Sequence, residues 1–331
     1  MLRYLIKRTL LGLTTLFAVS VATFLLFFAV PTNPAEVMCG ESKSCSAERI
    51  DEIEQRLGLD QPLVVQYGQF MSGVFVGRTY GEGDSARECP APCLGYSFRS
   101  DEPVTDIVAR TVPVTLSVVG GAAVVWLGIG LSLGMTSALR RGSWYDKTAI
   151  AISLTGAAMQ VYFFGLILLI VFVYEFGVLP VPRYIPVTED PLGWAGGLLL
   201  PWFALGFLSS AIYARLARAQ MLETLSEDFI RTAQAKGLPK RTVYGRHALR
   251  AAATPLVTIA GLDIGNALGG TVITETVFGL NGLGRSAVRG VEYLDLPVVM
   301  VTVLLAAVFI VLANIVVDML YAVIDPRVRL G

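Results

Sequence analysis

An all-α integral membrane protein of six spanning helices is the fold class this sequence predicts, and three observations predict it. Hydrophobic residues make up 54% of the chain and charged residues only 16%, where soluble domains carry about 25% charged residues. Mean hydropathy is +0.63. Apolar runs of spanning length, about 20 residues, recur near 9–30, 111–139, 148–176, 194–214, 254–275 and 297–324. At 331 residues the chain has the length of two soluble domains, but these runs argue for one membrane bundle. The formal net charge is zero, so the placement of charge is more informative than its sum.

The first run is too long for a cleaved signal segment, and Pro31-Thr32-Asn33-Pro34 offers no small-residue cleavage site after it. Residues 31–110 follow, the one stretch able to build much structure outside a bilayer. Within it Ser46 is placed to cap a helix that Glu48 supports and Gly58 ends. Ile50, Ile53 and Leu57 then share a face. Pro62 opens a second amphipathic helix through about Phe75, suited to lie on the membrane surface or cover the mouth of the bundle.

Lys and Arg in short loops set the orientation. Arg3, Lys7 and Arg8, then Arg140, Arg141 and Lys147, then the cationic 215–253 loop, then Arg327 and Arg329 all fall on one side of a six-span chain. The acidic 31–103 loop and the short loops near 177–193 and 276–296 fall on the other. The basic side is expected to be cytoplasmic, with both termini there.

All four cysteines, Cys39, Cys45, Cys89 and Cys93, lie in the long outer loop. This segregation points to two disulfides in an oxidising space. Three connectivities are open, and short spacing favours 39–45 with 89–93. A Zn or Fe–S site is the rival reading. The spacings match no familiar ligand pattern and no histidine is near, so no metal is expected.

In the fifth run Gly261, Gly265 and Gly269 share one helix face and permit close helix packing, as do Gly130 and Gly134 in the second. Asp263 lies in that glycine-rich region. A charge within the hydrocarbon faces a cavity or a partner, so Asp263 is either a pathway residue or one half of a pair inside the bundle. Glu175, Glu275 and Asp318 lie nearer span ends, where water or headgroups would meet them, and Asn314 with Asp318 would form a polar seam. The glycine-rich stretch 279–290 lacks the Lys-Ser/Thr ending of a phosphate loop, and the chain contains no Gly-x-x-x-x-Gly-Lys-Ser/Thr. It has a single histidine, His247, and no Ser/His/Asp set, so catalysis by this chain alone is not expected.

The most informative stretch is 230–256, basic and helix-prone between two apolar runs, with Gly237 between two short helical patterns. A loop that only joined two membrane helices could be much shorter. The stretch resembles the EAA loop of bacterial ABC importer permeases. Arg231, Thr232 and Ala233 stand at the Glu-Ala-Ala positions, and Gly237 falls at the family spacing. His247 and Leu249 fill the later Ile and Leu positions, with Arg250 in place of Pro. The departures match the dipeptide and oligopeptide branch, whose B-type permeases read Arg-Thr-Ala-x-x-Lys-Gly and Arg-His-Ala-Leu-Arg at these places. The resemblance also covers Leu57-Gly58-Leu59-Asp60-Gln61-Pro62-Leu63, Gly95-Tyr96-Ser97-Phe98, Leu139-Arg140-Arg141-Gly142-Ser143-Trp144, Glu275-Thr276-Val277-Phe278-Gly279 and Asp325-Pro326-Arg327. Residues 79–94 look like an insertion relative to other members.

The resemblance implies a type I ABC importer permease fold in a bacterial plasma membrane. Residues 1–30 would be the cytoplasmic N-terminus and first helix, 31–110 the extracytoplasmic loop, and 111–331 a five-helix core with the coupling loop 215–253. It implies a homologous second permease, two ATPase domains (separate or fused) that bind ATP and Mg, and an extracytoplasmic substrate-binding protein. It implies no cofactor in this chain and no nucleic acid. Arg231, Thr232, Ala233, Lys236, Gly237, Leu238, Lys240, Arg241, His247 and Leu249 would couple to the ATPases, with Ala233 and Leu238 seated in a groove on one of them. The cargo would be dipeptides or oligopeptides. Nickel or an opine is the near alternative within the branch, and a membrane sensor or channel the alternative outside it.

Overall fold

The computed structural model describes residues 2–28, 61–80, 86–97 and 99–324, with Ile50 and Glu54. The expected helix from Ser46 to Gly58 and the cysteines Cys39 and Cys45 lie outside the described residues. In chain order the helices are α1 (Leu2–Phe28), α2 (Leu63–Val76), α3 (Val104–Leu139), α4 (Trp144–Ala158), α5 (Val161–Leu168, continued as a π-helix over Leu169–Glu175) and α6 (Pro191–Ser226). Then come α7 (Asp228–Ala235), α8 (Lys240–Thr242, continued as a π-helix over Val243–Ala248), α9 (Leu249–Gly270), α10 (Val272–Val277), α11 (Leu283–Glu292) and α12 (Leu296–Ile324). Two small antiparallel hairpins pair β1 (Arg78–Tyr80) with β2 (Arg87–Cys89) and β3 (Tyr96–Ser97) with β4 (Glu102–Pro103). Among the described residues five helices are long and apolar enough to cross a membrane, and six spans result if α4 and α5 count as one.

Small residues set the packing. The α3–α6 pairing is the most extensive in the chain. A Cβ at Gly130 would sit 2.6 Å from the Tyr213 Cβ and 3.0 Å from the Ser210 carbonyl oxygen, so only glycine lets the two backbones approach this closely. Trp202 fills the notch left by Gly121, and its indole N–H donates to the Ser117 carbonyl at 2.8 Å. The second close pair is α9 with α12. Gly261, Gly265 and Gly269 face Val317, Ala313 and Ala306 in turn, which fixes these helices as antiparallel. The four-residue glycine spacing is therefore a packing seam. α1 lies along α12, with the Arg8 guanidinium on the Asp318 carboxylate. That ion pair, rather than an Asn314–Asp318 seam, is the partner of Asp318.

Three boundaries differ from the sequence expectation. The third span is not one helix: α4 and α5 meet at 103°, because Met159 and Gln160 take extended backbone with ψ of 144° and 139°. The fourth does not end where its apolar run does. α6 continues to Ser226, since residues 215–226 are rich in good helix formers and keep Ala217, Met221 and Thr224 buried. The fifth breaks at Thr271, and α10 carries on from Val272.

The contacts sort the chain into two ends. At one, Ser97 bonds Asp295, Thr115 bonds Glu275, and Arg99, Glu102, Arg183, Asn281, Arg289 and Asp295 line one cavity. At the other, Ala138, Met221, Ile230, Ala233, Val243, Ala248 and Ala252 form a core, and Arg8 meets Asp318. The bent α4–α5 pair starts beside Arg218 at the second end, and residues 182–184 beyond it reach the first. Despite its bend it carries the chain across the bundle.

Beside the first end, α2 begins right after Pro62 and packs on α1, where Tyr67 meets Ser20 and stacks edge-on with Phe24. Cys89 and Cys93 are joined by a disulfide that closes the tip after β2, the pairing that short spacing favoured for these two.

Candidate functional site

The elbow at the second end is built from the helix-prone basic stretch. In α7, Ile230 and Ala233 recur three residues apart, so one face turns inward against Ala138, Met221, Val243 and Ala248. The helix then stops by a backbone device. Gly237 takes φ +74°, its N–H donates to the Gln234 carbonyl at 2.9 Å, and the Leu238 N–H reaches the Ala233 carbonyl at 3.4 Å. This is the double closure of a Schellman motif, which requires the left-handed conformation glycine adopts without strain. Pro239 follows and opens α8.

The expected site residues divide by this geometry. Arg231, Thr232, Lys236, Gly237, Leu238, Lys240, Arg241 and His247 are exposed, and Leu249 is half-buried. Arg231 bonds Asp228 one turn back at 3.4 Å, and the Thr232 hydroxyl donates to the Asp228 carbonyl. Ala233 is only 8% exposed and packs within its own chain. It therefore seats the elbow on the chain's own core. Its small side chain lets α7 lie flat on the core, while the outward face carries Phe229 (46% exposed) and Leu238 (39%) among cations.

A clasp that sequence reading missed locks the elbow's base. Asp146 accepts from Arg218 twice, Nε to Oδ1 at 2.7 Å and Nη2 to Oδ2 at 2.9 Å, and also from the Ser137 hydroxyl and the Gly142 N–H. The Ser143 hydroxyl caps α4 by accepting from the Asp146 N–H. α3, the Arg140–Ser143 turn, α4 and α6 thus meet at one carboxylate. The signal in the sequence was the Leu-Arg-Arg-Gly-Ser-Trp motif, but the partner Arg218 is 72 residues away.

Asp263 has a partner within the bundle, the Tyr213 hydroxyl donating to its Oδ2 at 2.7 Å, and the residue is at the same time exposed on this chain's surface. Glu275 departs from expectation outright. It is not at a wet span end but fully buried. Oε1 accepts from Thr115 at 2.6 Å and Thr271 at 2.8 Å, and Oε2 accepts from the Arg285 N–H at 2.9 Å, in the first turn of α11. A carboxylate at a helix N-terminus is well placed to satisfy its open amides. The Gly-rich 279–290 stretch is accordingly a turn over 279–282 followed by the first eight residues of α11.

Also at that first end, a cavity of about 880 Å³ is lined by Arg99, Arg110, Arg183, Arg289, Glu102, Tyr293 and Asp295 among others. Arg110 pairs with Glu102 at 2.6 Å, and Arg99 lies over the Tyr293 ring. Asp295 is 7% exposed. Burial pushes its carboxyl above the usual carboxylate range, against the opposing pull of the Ser97 hydroxyl, the Val298 amide and the Arg99 charge.

Comparison with known proteins agrees with this layout. Residues 1–119 match the family described as the N-terminal part of the binding-protein-dependent transport system membrane component, and 130–330 match the binding-protein-dependent transport system inner membrane component. The dipeptide transport system permease protein DppB of Alkalihalophilus pseudofirmus is 34% identical over 349 residues, covering 99% of this chain and all of the relative. DppB of Escherichia coli K12 is 34% identical over 352 residues, covering 99% of each. Among solved structures, a chain of the MetNI methionine ABC transporter in an inward-facing conformation shares the fold. It has a TM-score of 0.53 and 18% identity, over 67% of this chain and 97% of that one. Two family matches spanning most of the chain, and full-length relatives at this identity, place it in the binding-protein-dependent transport system inner membrane component family, as a multi-pass permease of the peptide and dipeptide branch.

Proposed function

We propose that this chain is one of two homologous permeases of an ATP-driven importer of dipeptides or oligopeptides. The elbow end faces the cytoplasm with both termini, and the cavity end faces outward, where a substrate-binding protein delivers peptide. Two ATPase domains, which hold ATP and Mg, dock on the elbow. Their closure moves α7 and α8, and the spans follow as rigid bodies to give alternating access.

The observation that carries this reading is the two-faced elbow. Its inner face is continuous with the core of α3, α6 and α9 through Ile230, Ala233, Val243 and Ala248. Phe229 and Leu238 are exposed on the elbow, and so are Arg231, Lys236, Lys240 and Arg241. A push on that exposed side would reach the spans through this packed core. Asp263, exposed on α9 and bonded by Tyr213, would line the pathway between the two permeases. Peptide cargo follows the relatives' names.

The test is reconstitution of the chain with its second permease, ATPases and binding protein in liposomes. ATP-dependent accumulation of labelled dipeptide is expected. A complex that assembles and hydrolyses ATP but accumulates nickel or an opine, and no peptide, would overturn the cargo. A chain that captures no ATPase would overturn the function.

A further inference from the structure

The cavity at the outward end combines two features that ordinary surface clefts lack. Among the described residues, Arg183 and Arg289 line it without a carboxylate partner. Asp295 lines the same cavity from the start of α12, and its Oδ1 is buried yet accepts no hydrogen bond among the described residues, while Oδ2 is held by the Ser97 hydroxyl. A carboxylate at the wall of a concave site attracts a cationic group. Guanidinium groups without anions in a concave site are, in turn, forks suited to a carboxylate. A cavity of about 880 Å³ lies within the range that small-molecule sites occupy, about 300–1,000 Å³.

We propose that this cavity is a zwitterion subsite at the outer mouth of the pathway: Arg183 and Arg289 take the α-carboxylate of a short peptide, and the Asp295 carboxylate at the cavity wall draws its ammonium group. Four arginines against two acids, Glu102 and Asp295, leave the lining net cationic. The carboxylate is therefore the more strongly held end, and the ammonium sets direction. The site is contributed by the β3–β4 region, the segment before α6, and α11 with the start of α12. A released peptide would meet it before reaching the spans. The proposal rests on the peptide-importer reading and adds which peptide groups the permease recognises.

The test uses the whole reconstituted complex with saturating loaded binding protein. Uptake is compared for dialanine, dialanine amide and N-acetyl-dialanine in wild type, in Arg183→Gln/Arg289→Gln and in Asp295→Asn. Wild type is expected to prefer dialanine over the amide. The double arginine variant should lose about tenfold of that preference, the worth of a charge-assisted fork, and keep its preference over the acetylated peptide. Asp295→Asn should do the reverse. Because each readout is a ratio within one variant, a general folding defect cancels. Equal loss on all three peptides, with weaker binding-protein capture, would make the cavity a protein-docking surface and overturn the proposal. Unchanged ratios, or a loss that tracks only anionic lipid content, would also overturn it. If wild type moves no peptide at all, it is the importer reading that fails.

Discussion

Three donors from separate parts of the chain converge on the Glu275 carboxylate: the hydroxyls of Thr115 and Thr271 and the N–H of Arg285. Thr115 in turn accepts from the Leu283 N–H at 2.8 Å, so α3, α10 and the first turn of α11 are tied at one point. Glu275→Ala is expected to lower the thermal stability of the purified chain, leaving buried donors unmet at about 1–3 kcal/mol each. Glu275→Gln, which keeps the shape and one acceptor, should fall between. A Cβ at Gly282 would land on the same carboxylate, so Gly282→Ala should destabilise by the same route, and the double variant with Glu275→Ala should fall short of the sum. Melting curves of the four proteins in detergent decide this; full additivity would separate the two sites. The sequence did not reveal this node, because its key donor lies 160 residues from Glu275. Flanking residues make Glu275 look like the wet end of a span, and only the fold brings Thr115 over it.

At the scale of elements, the elbow was legible because its signals are local: a glycine after a short amphipathic helix, then a proline. The bend between α4 and α5 was not. Residues 148–176 are apolar on all sides, and neither proline nor paired glycines mark Met159 and Gln160, so nothing in the periodicity distinguishes one helix from two. The inward turn of Ala233 was readable only once Val243 and Ala248 were seen to fold back over α7. Two predictions belong here. Gly237→Val forces an L side chain into a left-handed conformation that costs about 1–2 kcal/mol, although the position is open around it, with nothing within 4 Å of an added Cβ. Peptide-stimulated ATPase activity and uptake should uncouple while the spans stay inserted. Gly237→Asn, which tolerates φ above zero, should recover much of the coupling; if it fails as Val does, crowding by the partner rather than backbone strain is the cause. Ala233→Leu should act from inside, because overpacking a filled core costs about 1–3 kcal/mol. It is expected to lower the melting temperature and coupling together, whereas Leu238→Ala on the exposed face should weaken ATPase capture at unchanged melting temperature. Equal melting losses in both would show that the two faces are not distinct.

At the scale of the whole molecule, the bent pair decides the parity of the fold. Were α4 and α5 a re-entrant hairpin, the chain would cross five times. Arg183 would then lie at the elbow end, and residues 279–295 would be separated from Ser97. The contacts forbid that: Arg183, Arg289 and Arg99 share one cavity, and Ser97 bonds Asp295. The Arg8–Asp318 pair likewise holds the two outermost helices together at the elbow end. The spans therefore number six, with both terminal helices ending at that side, and the excess of Lys and Arg there is the ground for proposing that it faces the cytoplasm. Single cysteines at Arg141, Glu189 and Lys236, introduced in a background lacking the native cysteines, test the parity and the direction in one experiment. Arg141 lies in the turn before the bent pair, Glu189 in the segment that follows it and Lys236 in the elbow, and all three are exposed. A membrane-impermeant maleimide applied to intact cells should label position 189 and reach positions 141 and 236 only after permeabilisation. The same response at 141 and 189 would mean an even number of crossings between them and break the parity. Labelling of 141 and 236 but not 189 would keep six spans but invert the protein, setting the elbow where no ATP is and overturning the coupling role assigned to it.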